Sequence, residues 1–86
     1  MAEITEKQVL QYFSEGINLS GMDLTGLNLN RAVMSGADFS GCDLRGTNLR
    51  GANLSGCDLS HSKLSEANLR ETNLRESDLS DRKSVV

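Results

Sequence analysis

The residues of this chain that could do chemistry are two cysteines, one histidine and several carboxylates and arginines at regular spacing. A structural zinc site takes four protein ligands, and this chain offers three Cys and His side chains: Cys42, Cys57 and His61. His61 lies between Ser60 and Ser62, but neighbours in sequence do not make a triad, which needs a base oriented by a third group. The chain has no phosphate-binding loop and no dinucleotide-binding glycine pattern. We therefore predict a protein that is not an enzyme and holds no metal or cofactor.

Acidic and basic residues recur at a spacing of twenty. Asp38, Asp58 and Asp78 form one series, and Arg50 and Arg70 form another. If twenty residues make one coil, each series becomes a column on the outer surface, and both columns are candidate partner-binding sites. Carboxylates about 4.8 Å apart repel each other by nearly 1 kcal/mol even at the dielectric constant of water. The acidic column therefore needs an interaction that offsets this repulsion.

Two interpretations of the acidic column stay open. Each carboxylate could accept hydrogen bonds from the backbone of its own turn, as Asp and Asn side chains commonly do. Alternatively, the column could imitate the phosphates of a nucleic acid and bind a DNA-binding protein. The arginine column could bind an acidic partner. However, 12 acidic against 9 basic residues, with few aromatic residues, argue against binding of nucleic acid itself.

The element that must position these columns is defined by a large apolar residue at every fifth position. This period does not suit a helix, on which successive members would lie about 140° apart, or a strand, on which an odd step alternates faces. A smaller residue stands two positions before each large one, so both lie on the same side of an extended segment. The chain must therefore turn a corner every five residues. The large residues are Leu19, Leu24, Leu29, Met34, Phe39, Leu44, Leu49, Leu54, Leu59, Leu64, Leu69, Leu74 and Leu79.

Four such sides close a square, and each coil of about twenty residues stacks on the last with the spacing of paired strands. Gly closes seven of the first eight repeats, which fits a corner that favours positive φ. The corner residue is no longer Gly in the last five repeats. This change indicates either a recognition edge or a different type of turn. These five corner residues are His61, Glu66, Glu71, Glu76 and Asp81.

Three segments, Gly36–Ser40 (GADFS), Gly51–Ser55 (GANLS) and Glu66–Arg70 (EANLR), closely resemble the A-[D/N]-L-x-x repeat of pentapeptide-repeat proteins. The resemblance covers residues 17–81. It implies an all-β solenoid, specifically a right-handed quadrilateral β-helix, here of about three coils by the arithmetic of the repeats. Some members of that family are understood as DNA mimics that bind DNA gyrase, and some dimerise through C-terminal coils.

Two repeats depart from the family pattern. Val33 and Lys63 occupy the place of Asn or Asp. We expect these two residues to mark local changes of turn rather than breaks in the coil.

The N-terminal segment 1–16 reads as a capping helix. Thr5 is predicted as the N-cap, with Gln8 as its capping-box partner, and Ile4 is placed to contact Val9. The helix is predicted to stop at Gly16. An apolar stripe on this helix would cover the open edge of the first coil, although the same stripe could instead bind a partner. The stripe consists of Val9, Leu10 and Phe13 with Tyr12 at its edge, and it would lie on Ile17, Met22 and Leu27.

The opposite end has no comparable lid, because the tail at 82–86 is short and polar. The last coil, with Leu74 and Leu79, is therefore expected to end on an exposed rung. Either Asp81–Lys83 act as charged residues that block further pairing, or the end meets the same end of a second copy in a two-fold dimer. The final Ser84–Val86 resembles a C-terminal peptide ligand read by strand addition, with a frayed tail as the alternative.

Length and composition fit one small domain built by stacking. No apolar run approaches about eighteen residues, so we predict no membrane span, and the N-terminus lacks the features of a secretory signal. Cys42 and Cys57 fall on inward positions for small residues, and we expect reduced thiols in place of alanine in a cytoplasmic protein.

The sequence thus predicts a rigid, non-catalytic module for protein–protein interaction or scaffolding. A DNA-mimic modulator of DNA gyrase is one alternative. A structural or accessory domain of a larger protein is the other.

Overall fold

The structure, a computed structural model, describes residues 3–80 and consists of one helix, α1 (Glu6–Ser14), followed by a coil. Parallel bridges join residues twenty apart on four faces, which confirms the predicted repeat of the coil. Each bridge is a single residue pair, with turns between the bridges. We name the faces by their bridged columns: the Asp38 face (Asp38, Asp58, Asp78), the Lys63 face (Asp23, Asp43, Lys63), the Asn48 face (Asn28, Asn48, Asn68) and the Asn53 face (Val33, Asn53, Asn73).

Every corner uses the same backbone conformation. From residue 16 to residue 76, each fifth residue has a φ between 60° and 77°. The residue after each corner from Gly21 onward donates its N–H to the carbonyl three residues earlier, for example Met22 to Leu19 at 3.3 Å. A positive φ at the third residue of such a turn is characteristic of type II turns. Eight of these corners are Gly, and the others are Arg31, His61, Glu66, Glu71 and Glu76.

The change from Gly to polar corners therefore does not mark a different turn. His61, Glu66, Glu71 and Glu76 have φ values of 60–62°, close to those of the glycines, so that interpretation is wrong for these four residues. Asp81 lies outside the described residues.

Backbone hydrogen bonds hold each coil to the next. The Leu24 N–H donates to the Asp43 carbonyl at 2.8 Å, and the Asp43 N–H donates to the Met22 carbonyl at 3.0 Å. The same pair of bonds recurs on the other three faces. Inside, each side contributes one large and one small residue, and the large residues from Leu19 to Leu64 are almost completely buried. The interior is therefore filled by side chains, as the sequence predicts.

Several small inward residues do more than fill space. The Thr47 hydroxyl donates to the Leu24 carbonyl at 2.7 Å, and the Cys42 thiol lies 3.0 Å from the Leu19 carbonyl. Each acceptor lies twenty-three residues earlier, at the corner of the preceding coil. Thr72, Ser77 and Cys57 make the same bond. These residues are thus donors inside the coil as well as replacements for alanine.

Val33 and Lys63 do not interrupt the coil. Val33 bridges Asn53, Lys63 bridges Asp43, and the corners that follow, Gly36 and Glu66, keep positive φ values of 77° and 62°. The expectation of a local change of turn is therefore wrong. The difference at Val33 is chemical, since valine has no acceptor for the backbone N–H that Asn or Asp would bind.

Helix α1 begins as predicted, but the set of its residues that faces the core differs from the predicted one. Thr5 and Gln8 form a capping box, with the Gln8 N–H donating to the Thr5 hydroxyl at 3.2 Å. Val9 is fully buried, and Ile4, Tyr12 and Phe13 pack against the core. Leu10 is 39% exposed, so the prediction that it lies in the buried stripe is wrong. Tyr12, predicted at the edge of the stripe, packs against the core. Ile17 is also outside the base, with 44% of its surface exposed.

A carboxylate ties α1 to the first coil. On the Asn48 face, the backbone N–H of a later residue bonds to the preceding coil, as when the Asn48 N–H donates to the Leu27 carbonyl. Asn28 holds the equivalent position in the first coil. Its N–H donates instead to Glu6 Oε2 at 2.9 Å. Glu6 thus replaces the carbonyl that a preceding coil would supply, and this hydrogen bond lowers the pKa of the Glu6 carboxyl.

We expect Glu6 to make the stability of the protein sensitive to acid. The folded-state pKa of Glu6 lies below its ordinary value of 4.5, so its contribution is present above that value and is lost as the pH falls through the folded pKa. The thermal midpoint of Glu6→Gln should lie below that of the wild type at pH 7, and the gap should be smaller at pH 3. A gap that is the same at both pH values would contradict the role of the carboxylate.

Substitution of corner glycines should separate backbone strain from steric contact. At Gly56 (φ +68°) an added Cβ meets nothing within 4 Å, whereas at Gly51 (φ +69°) it would lie 3.1 Å from Arg31 Cγ. Gly56→Ala should lower the free energy of unfolding by about 1–2 kcal/mol through strain alone, and Gly51→Ala by more. Urea denaturation measures both losses of free energy, provided that the m-value of each variant equals that of the wild type. Unchanged stability of Gly56→Ala would show that the corner does not require glycine-like freedom.

Candidate functional site

The structure brings the three predicted carboxylates together. Asp38 and Asp58 are bridged, as are Asp58 and Asp78, so they stack on successive coils of the Asp38 face. In each, Oδ1 accepts the backbone N–H two residues later, at 2.9, 2.9 and 3.0 Å. The Ser40 and Ser60 hydroxyls also donate to Asp38 and Asp58, both at 2.6 Å. The first interpretation of the column, that each carboxylate bonds its own turn, is confirmed.

For two members of the column, these bonds favour the charged form of the carboxyl. The pKa of Asp38 is lowered by the Ser40 hydroxyl and then by the Ser40 N–H. The pKa of Asp78 is lowered by the backbone N–H of Ser80 and then by its hydroxyl. Hydrogen bonds to the ionised form favour that form. Asp38 and Asp78 therefore remain anionic at neutral pH.

The turn itself does not need a negative charge. Asn makes the same Oδ1 bond on six other sides, including Asn48 to Arg50 at 3.0 Å and Asn53 to Ser55 at 3.1 Å. The remaining four are Asn18, Asn28, Asn68 and Asn73. Because an amide meets the structural requirement, the carboxylates of the Asp38 face add charge without adding a bond to the turn.

The arginine column is also confirmed in position, but one member is paired. Arg50 and Arg70 follow the bridged Asn48 and Asn68. Arg50 Nε lies 3.3 Å from Glu71 Oε1, and their side chains are 54% and 71% exposed. An exposed pair of this kind contributes typically less than about 1 kcal/mol. The Asn48 face thus carries mixed charge.

One charged pair was missed by the sequence reasoning. On the Lys63 face, Arg45 donates through Nε and a terminal nitrogen to the two oxygens of Asp43, at 2.8 and 2.6 Å. The Arg45 hydrogen bonds lower the pKa of Asp43 and satisfy its charge locally. Spacing could have indicated this pair, since residues two apart on extended backbone share a side. The Asp38 face has serine in the place of Arg45, so its carboxylates keep an outward charge.

The C-terminal end of the described coil is less buried than its middle. Leu69, Leu74 and Leu79 are only partly buried, in contrast to the large residues before them. The N–H groups of Leu74 and Leu79 donate to no backbone carbonyl between residues 3 and 80. These are the two residues that the sequence reasoning placed at a dimer end. The predicted gatekeepers Asp81–Lys83 and the terminal Ser84–Val86 lie outside the described residues.

The cysteines are buried thiols. Cys42 and Cys57 are both free and buried, and burial raises the pKa of Cys42 to about 11 and that of Cys57 above its ordinary value. A thiol is a nucleophile or metal ligand only as its thiolate, so both cysteines are chemically quiet. His61 is exposed at a corner. Residues 3–80 contain no helix long and apolar enough to cross a membrane.

Comparison with known proteins places these features in one family. The model of pentapeptide repeats matches residues 15–51 and 52–81, in eight copies. The pentapeptide-repeat protein Rfr23 from the cyanobacterium Cyanothece 51142 is 32% identical, with a TM-score of 0.54 over 80% of this chain and 50% of its own. HetL from Nostoc sp. strain PCC 7120, involved in regulation of heterocyst differentiation, is 32% identical, with a TM-score of 0.56 over 95% of this chain and 40% of its own. The chain thus spans half or less of these solved relatives. Among curated protein sequences, none matches it.

The buried thiols give a direct test of the packed interior. Because both are buried and their pKa values are raised, a thiol reagent at pH 8 should label the native protein far more slowly than the protein in urea. A Ser20→Cys variant, with its added thiol on an exposed position, serves as the control and should add one rapidly labelled group. Rapid labelling of the native wild type would contradict the buried positions of Cys42 and Cys57.

Proposed function

This chain belongs to the pentapeptide-repeat family, and we propose that it is a non-catalytic protein-binding module that uses the outer faces of its coil. Members of the family are generally non-enzymatic. The observation that carries the proposal is the Asp38 face, where stacked carboxylates supply a charge that the turn does not need. A basic surface on a protein partner would be its complement.

The coil suits such a role because its surface is ordered in advance. Each carboxylate is fixed to its own turn, and each turn is fixed to the next coil by backbone hydrogen bonds. Binding to such a surface loses little side-chain freedom, which lowers the entropic cost of association. The interior, in contrast, is filled by packed side chains. The outer faces and the ends of the coil therefore carry the binding function.

Two finer features complete the proposed fold, the first implied by the family and the second by the residues of α1. We propose that the coil is right-handed and quadrilateral, and that α1 caps its N-terminal end. The burial of Val9 and the bond from Asn28 to Glu6 support the cap. A capped first coil would be protected from pairing with other chains. The buried free thiols also suit the reducing environment of a cytoplasmic protein.

The opposite end supports a homodimer. Leu69, Leu74 and Leu79 are partly exposed, and the N–H groups of Leu74 and Leu79 donate to no backbone carbonyl within residues 3–80. This end therefore offers an apolar surface and a strand edge. We propose that this end pairs with the same end of a second copy. A two-fold arrangement uses one patch on both copies and closes on itself, which leaves α1 at the outer ends of the dimer.

The acidic column also supports a second candidate, imitation of DNA phosphates toward DNA gyrase. Three negative charges at the spacing of paired strands are the observation in its favour. The neighbouring Lys63 face carries Lys63 and the Asp43–Arg45 pair, and these positive charges count against an extended acidic surface. A purely structural role in a larger assembly is the remaining alternative, and it requires no partner for the Asp38 face.

Charge removal on the Asp38 face tests the proposal. In D38N/D58N/D78N each amide oxygen can keep the bond to the turn, so the free energy of unfolding should change little while the net charge moves from −3 to 0. Immobilised wild type should retain a partner from native lysate that this variant releases. The variant D23N/D43N removes carboxylates from the Lys63 face and should behave as the wild type. Equal retention by all three proteins would contradict a binding role for the Asp38 face.

The same variants distinguish the gyrase candidate. Inhibition of DNA supercoiling by micromolar wild type, lost in D38N/D58N/D78N, would assign the column to DNA mimicry. No inhibition by the wild type would remove gyrase as a target and leave other protein partners.

A further inference from the structure

We infer that three acidic corner residues, Glu66, Glu71 and Glu76, are a recognition rim that specifies end-to-end pairing with a second copy of this chain. The inference rests on the proposed dimer and adds to it the residues that select the partner. Of the two interpretations that the sequence left open for the non-Gly corners, the inference adopts the recognition edge.

These glutamates occupy a backbone conformation that does not favour them. Left-handed φ is freely accessible to Gly and disfavoured for residues with a Cβ. Of the five non-Gly residues with positive φ in residues 3–80, four lie on one turn of the coil, its last full one. Strain of this kind tends to concentrate at functional sites.

Glycine would meet the structural requirement at the same corners. One coil earlier in each column, the corresponding corners are Gly46, Gly51 and Gly56, with φ values of 68–70°. The corner is therefore built by Gly in one coil and by Glu in the next, with nearly the same backbone. The corner backbone therefore does not require a glutamate side chain, and the contact that Gly could not supply is the exposed pair of Glu71 with Arg50. A role outside the coil accounts for the difference.

The glutamates surround the part of the coil that is incompletely buried. Leu69 and Leu74 lie between the corners on successive sides and are partly exposed. Glu66, Glu71 and Glu76 are exposed at the corners themselves. An apolar centre with a charged margin is the usual anatomy of a protein interface. The rim and the leucines thus form one surface.

Charge complementarity points to a second copy as the occupant. Arg70 directly precedes Glu71 and Arg75 directly precedes Glu76, so positive and negative groups alternate around the rim. In a two-fold contact, residue i of one copy faces residue j of the other and the reverse. Arginine of each copy can then pair with glutamate of its partner, which makes the rim complementary to itself.

One contact within the chain shows the pairing that the rim would extend. Arg50 Nε reaches Glu71 Oε1 of the following coil at 3.3 Å. Arg70 holds the same place in its column one coil later, and no described coil lies beyond it. In the proposed dimer, Arg70 would take its acidic partner from the second copy. A glutamate of the partner's rim is the matching group.

The experiment measures dimerisation of the full chain by sedimentation equilibrium over a range of concentrations. E66Q/E71Q/E76Q removes the charge and retains a side chain, while E66G/E71G/E76G also removes the strain. Both variants should weaken the dimer at least tenfold. The Gly variant should keep a thermal midpoint at least equal to that of E66Q/E71Q/E76Q under dilute, monomeric conditions. R31G, which changes a non-Gly corner of the first coil, should dimerise like the wild type.

The possible outcomes distinguish a failure of the rim from a failure of the dimer itself. A wild type that stays monomeric at every concentration would overturn the dimer and the rim together. A wild-type dimer whose constant is unchanged in E66Q/E71Q/E76Q would overturn the rim alone and leave the dimer to its leucines. A loss of dimer in R31G as large as in the rim variants would also overturn the rim, since the effect would then belong to any corner.

Discussion

The structure depends on a left-handed backbone conformation at every fifth residue. This corner allows an extended side that is long enough for one large and one small inward residue and no more. Four corners return the chain above its starting point, so that residues twenty apart are bridged. The ladder, the filled interior and the columns on the outside all follow from this repeat. A corner that could not hold positive φ would displace every residue after it.

Short sides also determine how the polar groups are satisfied. Near each corner, an Asn or Asp side chain accepts the N–H two residues later, as at Asn48 and Asp58. Inside the coil, hydroxyl and thiol groups such as Thr47 and Cys42 donate to carbonyls of the preceding coil. No buried side-chain nitrogen or oxygen in residues 3–80 lacks a hydrogen-bond partner. These hydrogen bonds account for most polar groups of the coil. They do not explain why the Asp38 face and the last corners carry charge.

The sequence was informative where side-chain direction alone decides the outcome. The five-residue period predicts the inward residues and the columns, because both depend only on which way each Cβ points. It could not predict contacts that depend on side-chain conformation, such as Arg45 on Asp43 or the bonds of Cys42 and Thr47. The phase of α1 was also outside its reach, since Leu10 and Tyr12 are both apolar enough to face the core. At the last corners, the change from Gly left a recognition edge and a different turn both open, and the backbone there matches the glycine corners.

The most direct test is the backbone conformation of Glu66, Glu71 and Glu76 in solution. Backbone and Cβ chemical shifts, with the coupling between HN and Hα, report φ for each residue by NMR. We expect all three to indicate left-handed φ near 60°, as at Gly46, Gly51 and Gly56 one coil earlier. Values typical of right-handed helical or extended backbone at these residues would contradict a single corner conformation throughout the coil.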